Sequence, residues 1–347
     1  MTNVYKVQLF RWDLSNRDDY RKYAIEENIV AFGWPAKETV SSVEEYCDIG
    51  EKWFSKERKD RYTNLTSWRH VLKCLRQPNE NETFLWTQDD KSRFYLGKLK
   101  GTLELPSEQN WKLNNSQVER GKVGIVRCCE WHQIPSIFVP GDIATYARND
   151  GTIRLIATNN DEKYNPDYIH YCQFLYKNYD KLNEESGWEK IKGINFYQLL
   201  HTDDLEDLVG IFLQKELNYL VFPSTNKQGT KDYEYRLICK EKDNETQKHH
   251  EAIIQCKNNA NIPWDTLKKY TEENIYVLSV KETKNKEDSR TLDSKNMCSE
   301  DWDMGWQSKD GRIKMFDAKK LEAWARNNQD ILPKRIQNFL NFSKKTN

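Results

Sequence analysis

No sign of charge dominates this chain: 54 lysines and arginines stand against 54 aspartates and glutamates, a formal net charge of zero. Nothing global therefore attracts a polyanion, and any contact with nucleic acid has to come from a local patch. Also missing is an apolar run long enough for a signal or membrane helix. The eight cysteines (Cys47, Cys74, Cys128, Cys129, Cys172, Cys239, Cys256, Cys298) form no Cys-x-x-Cys pair. These absences point to free, mostly buried thiols in a reducing cytoplasm, with no membrane partner. Neither a Walker-type phosphate loop nor a dinucleotide-binding glycine pattern occurs, which argues against hydrolysis of a nucleoside triphosphate. Cys128, Cys129 and His132 are close in sequence, but adjacent strand cysteines face opposite ways and no fourth ligand is evident. They read as core or interface residues rather than as zinc ligands.

What the chain does have is bulk. Aromatic residues make up 12% of it, with 12 Trp and 18 Tyr, and 31% of residues are charged. That is too much apolar surface for a disordered protein. A length of 347 residues is long for one core and comfortable for two domains. The patterning predicts an α+β protein with a first domain over residues 1–160, a helical linker over 161–194 and a second domain over 195–347.

The second half is organised around Leu205 to Lys257. An apolar stripe (Leu205, Leu208, Val209, Phe212, Leu213, Leu217) predicts a helix. Strands follow at Tyr219 to Phe222, at Tyr233 to Cys239 and up to Ile254-Gln255-Cys256-Lys257. Successive strand side chains alternate faces, so Gln255 and Lys257 point one way and Ile254 and Cys256 the other. Asp232 and Glu234 sit at the head of the second strand, so that one carboxylate, one amide oxygen and one ammonium are expected to converge. Metal-assisted phosphodiester hydrolysis asks for such a set: a hard cation takes oxygen ligands, and a lysine orients water and holds developing charge. Asp203-x-x-Glu206 ahead of the apolar run reads as a capping box, which leaves Glu206 to cap, to bind, or to do both.

This stretch resembles the PD-(D/E)XK nuclease superfamily and, within it, the Mrr-like restriction endonucleases, in which Gln replaces the acid of the last motif. The resemblance implies an α/β core with a mixed central sheet and a magnesium (Mg2+) cofactor. It assigns Glu234 or Asp232 as the metal carboxylate, Gln255 and Lys257 as the final motif, the carbonyl of Cys256 as a further ligand and Glu206 as the acid on the preceding helix. The sequence departs from the family in having no Pro-Asp and no Gly-rich segment leading into a single Asp. Beyond Lys257, a short helix opening at Pro263, a strand at Ile275 to Val280 and helices at Leu321 to Asn327 and Arg335 to Phe342 are expected. Lys334, Arg335, Lys344 and Lys345 form the most basic patch.

In the first half, strands are expected at Val4 to Trp12, Thr83 to Thr87, Arg93 to Lys100, Lys122 to Trp131 and Thr152 to Thr158. Helices are expected at Asp18 to Glu27 and within Val43 to Leu75, with a connecting helix at Tyr168 to Leu182. Three pieces carry a second resemblance: Ala31-Phe32-Gly33-Trp34-Pro35; Phe84-Leu85-Trp86-Thr87 with Tyr95-Leu96-Gly97; and Val126 to Trp131 with Ile134-Pro135 and Val139-Pro140-Gly141. Together they are similar to the EVE-like members of the PUA superfamily, which implies a compact β-barrel with flanking helices whose aromatic cage holds a modified base. A base lifted from its stack regains about 1–3 kcal/mol per aromatic contact. Trp34, Trp86 and Trp131 are the expected cage, with Trp12 as a fourth candidate.

The two resemblances together imply a modification-dependent restriction endonuclease of anti-phage defence. Its partner would be double-stranded DNA carrying a modified base flipped into the reader, and cutting both strands from one active site per chain would favour a homodimer. The other reading is a binding protein for modified DNA or RNA whose nuclease half no longer cuts.

Overall fold

The computed structural model describes residues 2–7, 17–32, 40–56, 65–89, 91–105, 124–144, 153–159, 166–182, 195–221, 235–242, 249–257, 262, 267, 269–270, 274–280, 300–308 and 311–343. It is a mixed α and β structure with two mixed sheets. Contacts divide it into two compact units, Met1–Val139 with Ile143–Ile191, and Pro140–Asp142 with Lys192–Asn347. No helix among the described residues is long and apolar enough to cross a membrane.

The first unit contains β1 (Thr2–Val7), α1 (Arg17–Glu26), β2 (Ile29–Phe32), α2 (Val43–Lys56), α3 (Leu65–Leu75), β3 (Glu82–Gln88), β4 (Phe94–Glu104), β5 (Ile125–Ile134), β6 (Ile153–Thr158) and α4 (Pro166–Lys177). Its six strands are ordered β2-β5-β4-β3-β1-β6. Only β1 and β3 run parallel. The expected barrel is corrected here: among the described residues the sheet is open, with β2 and β6 as its edges. Alternating residues identify strands, but closure depends on strand tilt and stagger around the whole sheet, which no single strand encodes. The helical span expected from Val43 to Leu75 contains two helices, α2 and α3.

The β3–β4 hairpin shows how local chemistry sets register. The buried Asp89 carboxylate accepts the backbone N–H of Lys91 at 3.0 Å and of Arg93 at 2.8 Å, and Ser92 takes a positive φ of 60° to close the turn. That is the side-chain-to-backbone turn Asp favours. The register pairs Leu85 with Gly97 and Gly97 with Trp131, leaving the indole to lie over the glycine. On one face Tyr5, Leu85, Cys129 and Trp131 form a core with Tyr46, Trp68, Val71 and Leu75 from α2 and α3. The helix expected as a connector forms as α4 and belongs by its contacts to the first unit. There Tyr171 donates its hydroxyl to the carbonyl of Phe138 at 2.7 Å. Buried Arg127 on β5 donates to the carbonyls of Leu75 and Gln77, at 2.5 and 2.6 Å, and so satisfies the end of α3.

The second unit contains α5 (Thr202–Glu216), β7 (Tyr219–Val221), β8 (Tyr235–Lys242), β9 (His249–Lys257), β10 (Asn274–Ser279), β11 (Glu300–Trp302), β12 (Gly305–Gln307), β13 (Ile313–Phe316), α6 (Ala318–Asn327) and α7 (Lys334–Phe342). Its seven strands are ordered β11-β12-β13-β10-β9-β8-β7. The pairs β9–β10 and β10–β13 are parallel and the others antiparallel. The helix and four strands expected from Leu205 to Val280 are α5 and β7 to β10, in that order. Strands β11 to β13 extend the sheet beyond what the hydrophobic pattern announced. One face packs against α5 and α6: Phe212 meets Phe316 at 5.2 Å and Trp324 at 5.1 Å, both edge-on. The other face carries Ile253, Ile275, Val277, Ile313 and Met315 against Ile262 and Leu267.

A Cβ placed on Gly97 would lie 2.4 Å from Cys129 Sγ and 2.4 Å from Trp131 Cε3. Gly97→Ala is expected to destabilise the first unit by about 1–3 kcal/mol through overpacking, read as a lowered urea midpoint; an unchanged midpoint would show that the indole has room to move.

Candidate active site

Strand β9 has a neighbour on each side, and that decides where its side chains go. Its parallel partner β10 sets Val277 beside Gln255, Leu278 beside Cys256 and Ser279 beside Lys257. Its antiparallel partner β8 sets Tyr235 beside Ile254 and Arg236 beside Ile253. Alternation therefore places Ile253, Gln255 and Lys257 on the face of Val277 and Met315. Cys256 points to the face of Tyr276, Leu278 and Phe316, and its thiol is fully buried. Gln255 is 1% exposed and Lys257 half-buried. An amide held at a fully buried position of an otherwise apolar row is costly to keep there without a polar purpose. Lys257 and Ser279 end two adjacent parallel strands, and open α/β sheets bind ligands beyond such carboxyl ends.

The expected carboxylates of β8, Asp232 and Glu234, lie outside the described residues. The capping box at the start of α5 is corrected in register. His201 is the cap, its Nδ1 accepting the Asp203 N–H at 3.2 Å, while Asp204 Oδ2 accepts the His201 N–H at 2.8 Å. The helix begins at Thr202, so Glu206 lies past the capping positions, and it is buried at 6% exposure. Capping is thereby removed as its explanation. The structure does not set its helix on the Gln255 face, however, because α5 packs through Phe212 against the opposite one. A two-residue reversal joins α5 to β7, and β7 and β9 both run antiparallel to β8. The amino end of α5 thus lies toward the edge where β9 ends.

Asp204 has a second partner, Arg335 on α7, whose Nε is 3.3 Å from Oδ2. Burial pushes this carboxyl above its ordinary pKa, and the guanidinium and the His201 N–H pull it partly back. Arg335, part of the basic patch noted in the sequence, is thus turned toward an acid, while Lys344 and Lys345 lie outside the described residues.

Among the described residues, no group of three or more His, Cys, Asp or Glu side chains is arranged to hold a metal. Toward the carboxyl end of β9 the side-chain atom able to ligate is the Gln255 amide oxygen, with the Lys257 ammonium as the cation on the same face. A neutral oxygen suits a hard cation, as would the backbone carbonyl of Cys256; the Cys256 thiol is soft and on the other face. This set fits magnesium provided that one or two carboxylates join it, the part assigned to Asp232 or Glu234. Sequence reasoning missed a further pair on the same face: Arg236 Nε lies 2.6 Å from Glu251 Oε2, with side chains 39% and 41% exposed. Counting back in twos from Gln255 reaches Glu251, but only the strand register brings Arg236 beside it.

Trp86 and Trp131, two of the four tryptophans expected at the aromatic cage, do not share a pocket. Trp86 is fully buried and donates from Nε1 to Cys172 Sγ at 3.3 Å. Trp131 is 7% exposed and donates to the carbonyl of Ile29 at 2.9 Å. They sit on opposite faces of the sheet, because Trp86 pairs with Leu96 whereas Trp131 pairs with the next residue, Gly97. Both are core residues of different layers and cannot wall one pocket. Trp12 and Trp34 lie outside the described residues.

Cys128 is exposed and Cys129 buried, on opposite faces as their adjacency requires. His132 stacks on Tyr179 with centroids 3.6 Å apart and planes 7° from parallel. No family model matches the sequence, and no curated protein matches it.

Burial lowers the His132 pKa below its ordinary 6.5, against the opposing pull of Glu130 and Asp180, with Lys100 adding to the lowering. The unfolded chain then binds the extra proton more readily, so stability is fullest above pH 6.5 and is lost as pH falls from there through the folded value. His132→Gln should flatten that part of the urea-midpoint profile; an unchanged slope would mean the proton is taken up elsewhere.

Proposed function

We propose that the second unit hydrolyses phosphodiester bonds of DNA with a divalent cation while the first reads a modified base, which makes the chain a modification-dependent endonuclease of anti-phage defence. The observation carrying this reading is the buried Gln255 amide beside the Lys257 ammonium, on one face at the carboxyl end of a central strand. The order of α5 and β7 to β10 supports it as well.

In this reading Lys257 orients the attacking water toward phosphorus and offsets the negative charge that grows on the phosphoryl oxygens. Gln255 fixes the geometry from a position that neighbouring strands do not allow to drift. Glu234 or Asp232 supplies the anionic ligand, and Glu206 acts from the edge of the sheet. A bound magnesium ion supplies Lewis acidity to the phosphoryl group. Water attacks in line, the bond from phosphorus to the leaving oxygen breaks, and no covalent enzyme intermediate forms. Contact with the flipped base falls to Trp34 and Trp12, since Trp86 and Trp131 are built into the core.

Lys257→Ala is expected to reduce magnesium-dependent cleavage of modified duplex DNA by about a hundredfold or more, with binding in chelator retained; cleavage at the parent rate would refute the site. Trp34→Ala should lose the preference for modified over unmodified duplex at unchanged stability. Trp86→Ala should instead cost about 3–5 kcal/mol of stability. A loss of preference by a fully stable Trp86→Ala protein would reverse these assignments.

A further inference from the structure

The face carrying Gln255 and Lys257 holds a cation that the proposed cleavage reaction does not use. Arg236 lies on β8 opposite Ile253, two residues before Gln255 on the same face, a step of about 7 Å along a strand. An arginine side chain spans such a distance. Its guanidinium is held by Glu251 through a contact of 2.6 Å; the touching Nε and Oε2 are shielded from water, while the side chains as a whole are 39% and 41% exposed.

A half-exposed pair of this kind contributes little to stability, because water reaches the rest of both side chains and two long side chains must be ordered to make it. The pair can therefore be exchanged for another anion without harm to the fold. Arginine is the side chain best shaped for that anion to be a phosphate, since its planar fork matches two phosphoryl oxygens at once. We propose that Arg236 is a backbone contact of the same site, gripping the phosphate next to the one attacked. Glu251 occupies it until nucleic acid takes its place. This rests on the reading of the β9 face as a cleavage site for DNA. It adds a device that explains how a chain of zero net charge holds a polyanion: the cation is local, and it is masked in the free protein.

Two substitutions break the same ion pair but leave opposite charges behind, which separates a grip from a brace. Binding of the full chain to a labelled DNA duplex is measured in chelator, so that cleavage plays no part, across a range of salt concentrations. Arg236→Ala should weaken binding about tenfold and reduce the slope of log affinity against log salt by about one, the mark of one lost phosphate contact. Arg236→Lys should restore part of both. Glu251→Ala should bind as tightly as the parent or more so. Equal losses in Arg236→Ala and Glu251→Ala would overturn the proposal by showing that the pair serves the fold, and so would an unchanged salt slope in Arg236→Ala. Urea midpoints of all three variants identify any loss that comes from unfolding, and in that event Arg236→Lys against Glu251→Ala decides. A parent chain that binds the duplex but never cuts it would defeat the reading of the site while leaving the contact standing. Cleavage with the two alanine variants indistinguishable in binding would do the reverse.

Discussion

A strand with partners on both edges has no freedom over the direction of its side chains, and β9 is such a strand. Hydrogen bonding to β8 on one side and β10 on the other fixes its pleat, so the sequence Ile253-Ile254-Gln255-Cys256-Lys257 is divided between faces without appeal. A register slip of one residue would bury Lys257 on the face that α5 covers and send Ile254 across to the face of Val277. Both errors are costly, so the apolar rows on the two faces hold the polar pair where it is. The remaining features of the second unit serve that arrangement: α5 and α6 cover one face, and the cluster around Ile275 and Val277 braces the other.

Much of this was readable from the residues. The α5 stripe, the order of α5 and β7 to β10, and the shared face of Gln255 and Lys257 follow from periods of 3.6 and 2, which neighbours in sequence determine. What was not readable depends on partners far away in the chain. His201 displaced Asp203 as the cap of α5 because Asp204 reaches back to it, a choice of register among Asp203, Asp204 and Glu206. Strands β11 to β13 are short and carry little alternation, so they become strands by joining a sheet that already exists. Trp86 and Trp131 part company for a related reason. Tryptophans spaced along different strands look equivalent until pairing assigns each a face, and one residue of register separates Trp86 from Trp131.

Burial also separates residues that composition treats alike. Asp89 and Asp204 are both carboxylates with arginine partners, and both bind backbone N–H groups. Each is explained by a turn or a helix end. Arg236 and Glu251 close no turn and cap no helix; they pair across two strands, half-exposed, on the face that also carries the buried Gln255 amide. Polar groups that end a turn or a helix and polar groups that pair across strands are told apart by this kind of accounting rather than by charge alone.

The parallel pairing of β9 with β10 bears on how the molecule comes into being. Strands β8 and β9 are neighbours in the chain and meet antiparallel, whereas β10 and β13 join parallel, with β11 and β12 between them in sequence. Such non-local pairings form late, because more chain entropy must be surrendered before any contact repays it. A polypeptide still emerging from the ribosome, with β9 already out, owns Gln255 and Lys257 but has neither Val277 to enclose the one nor Ser279 to stand beside the other. The face that Gln255 and Lys257 share is therefore assembled only after β10 and β13 have followed β9 out of the ribosome.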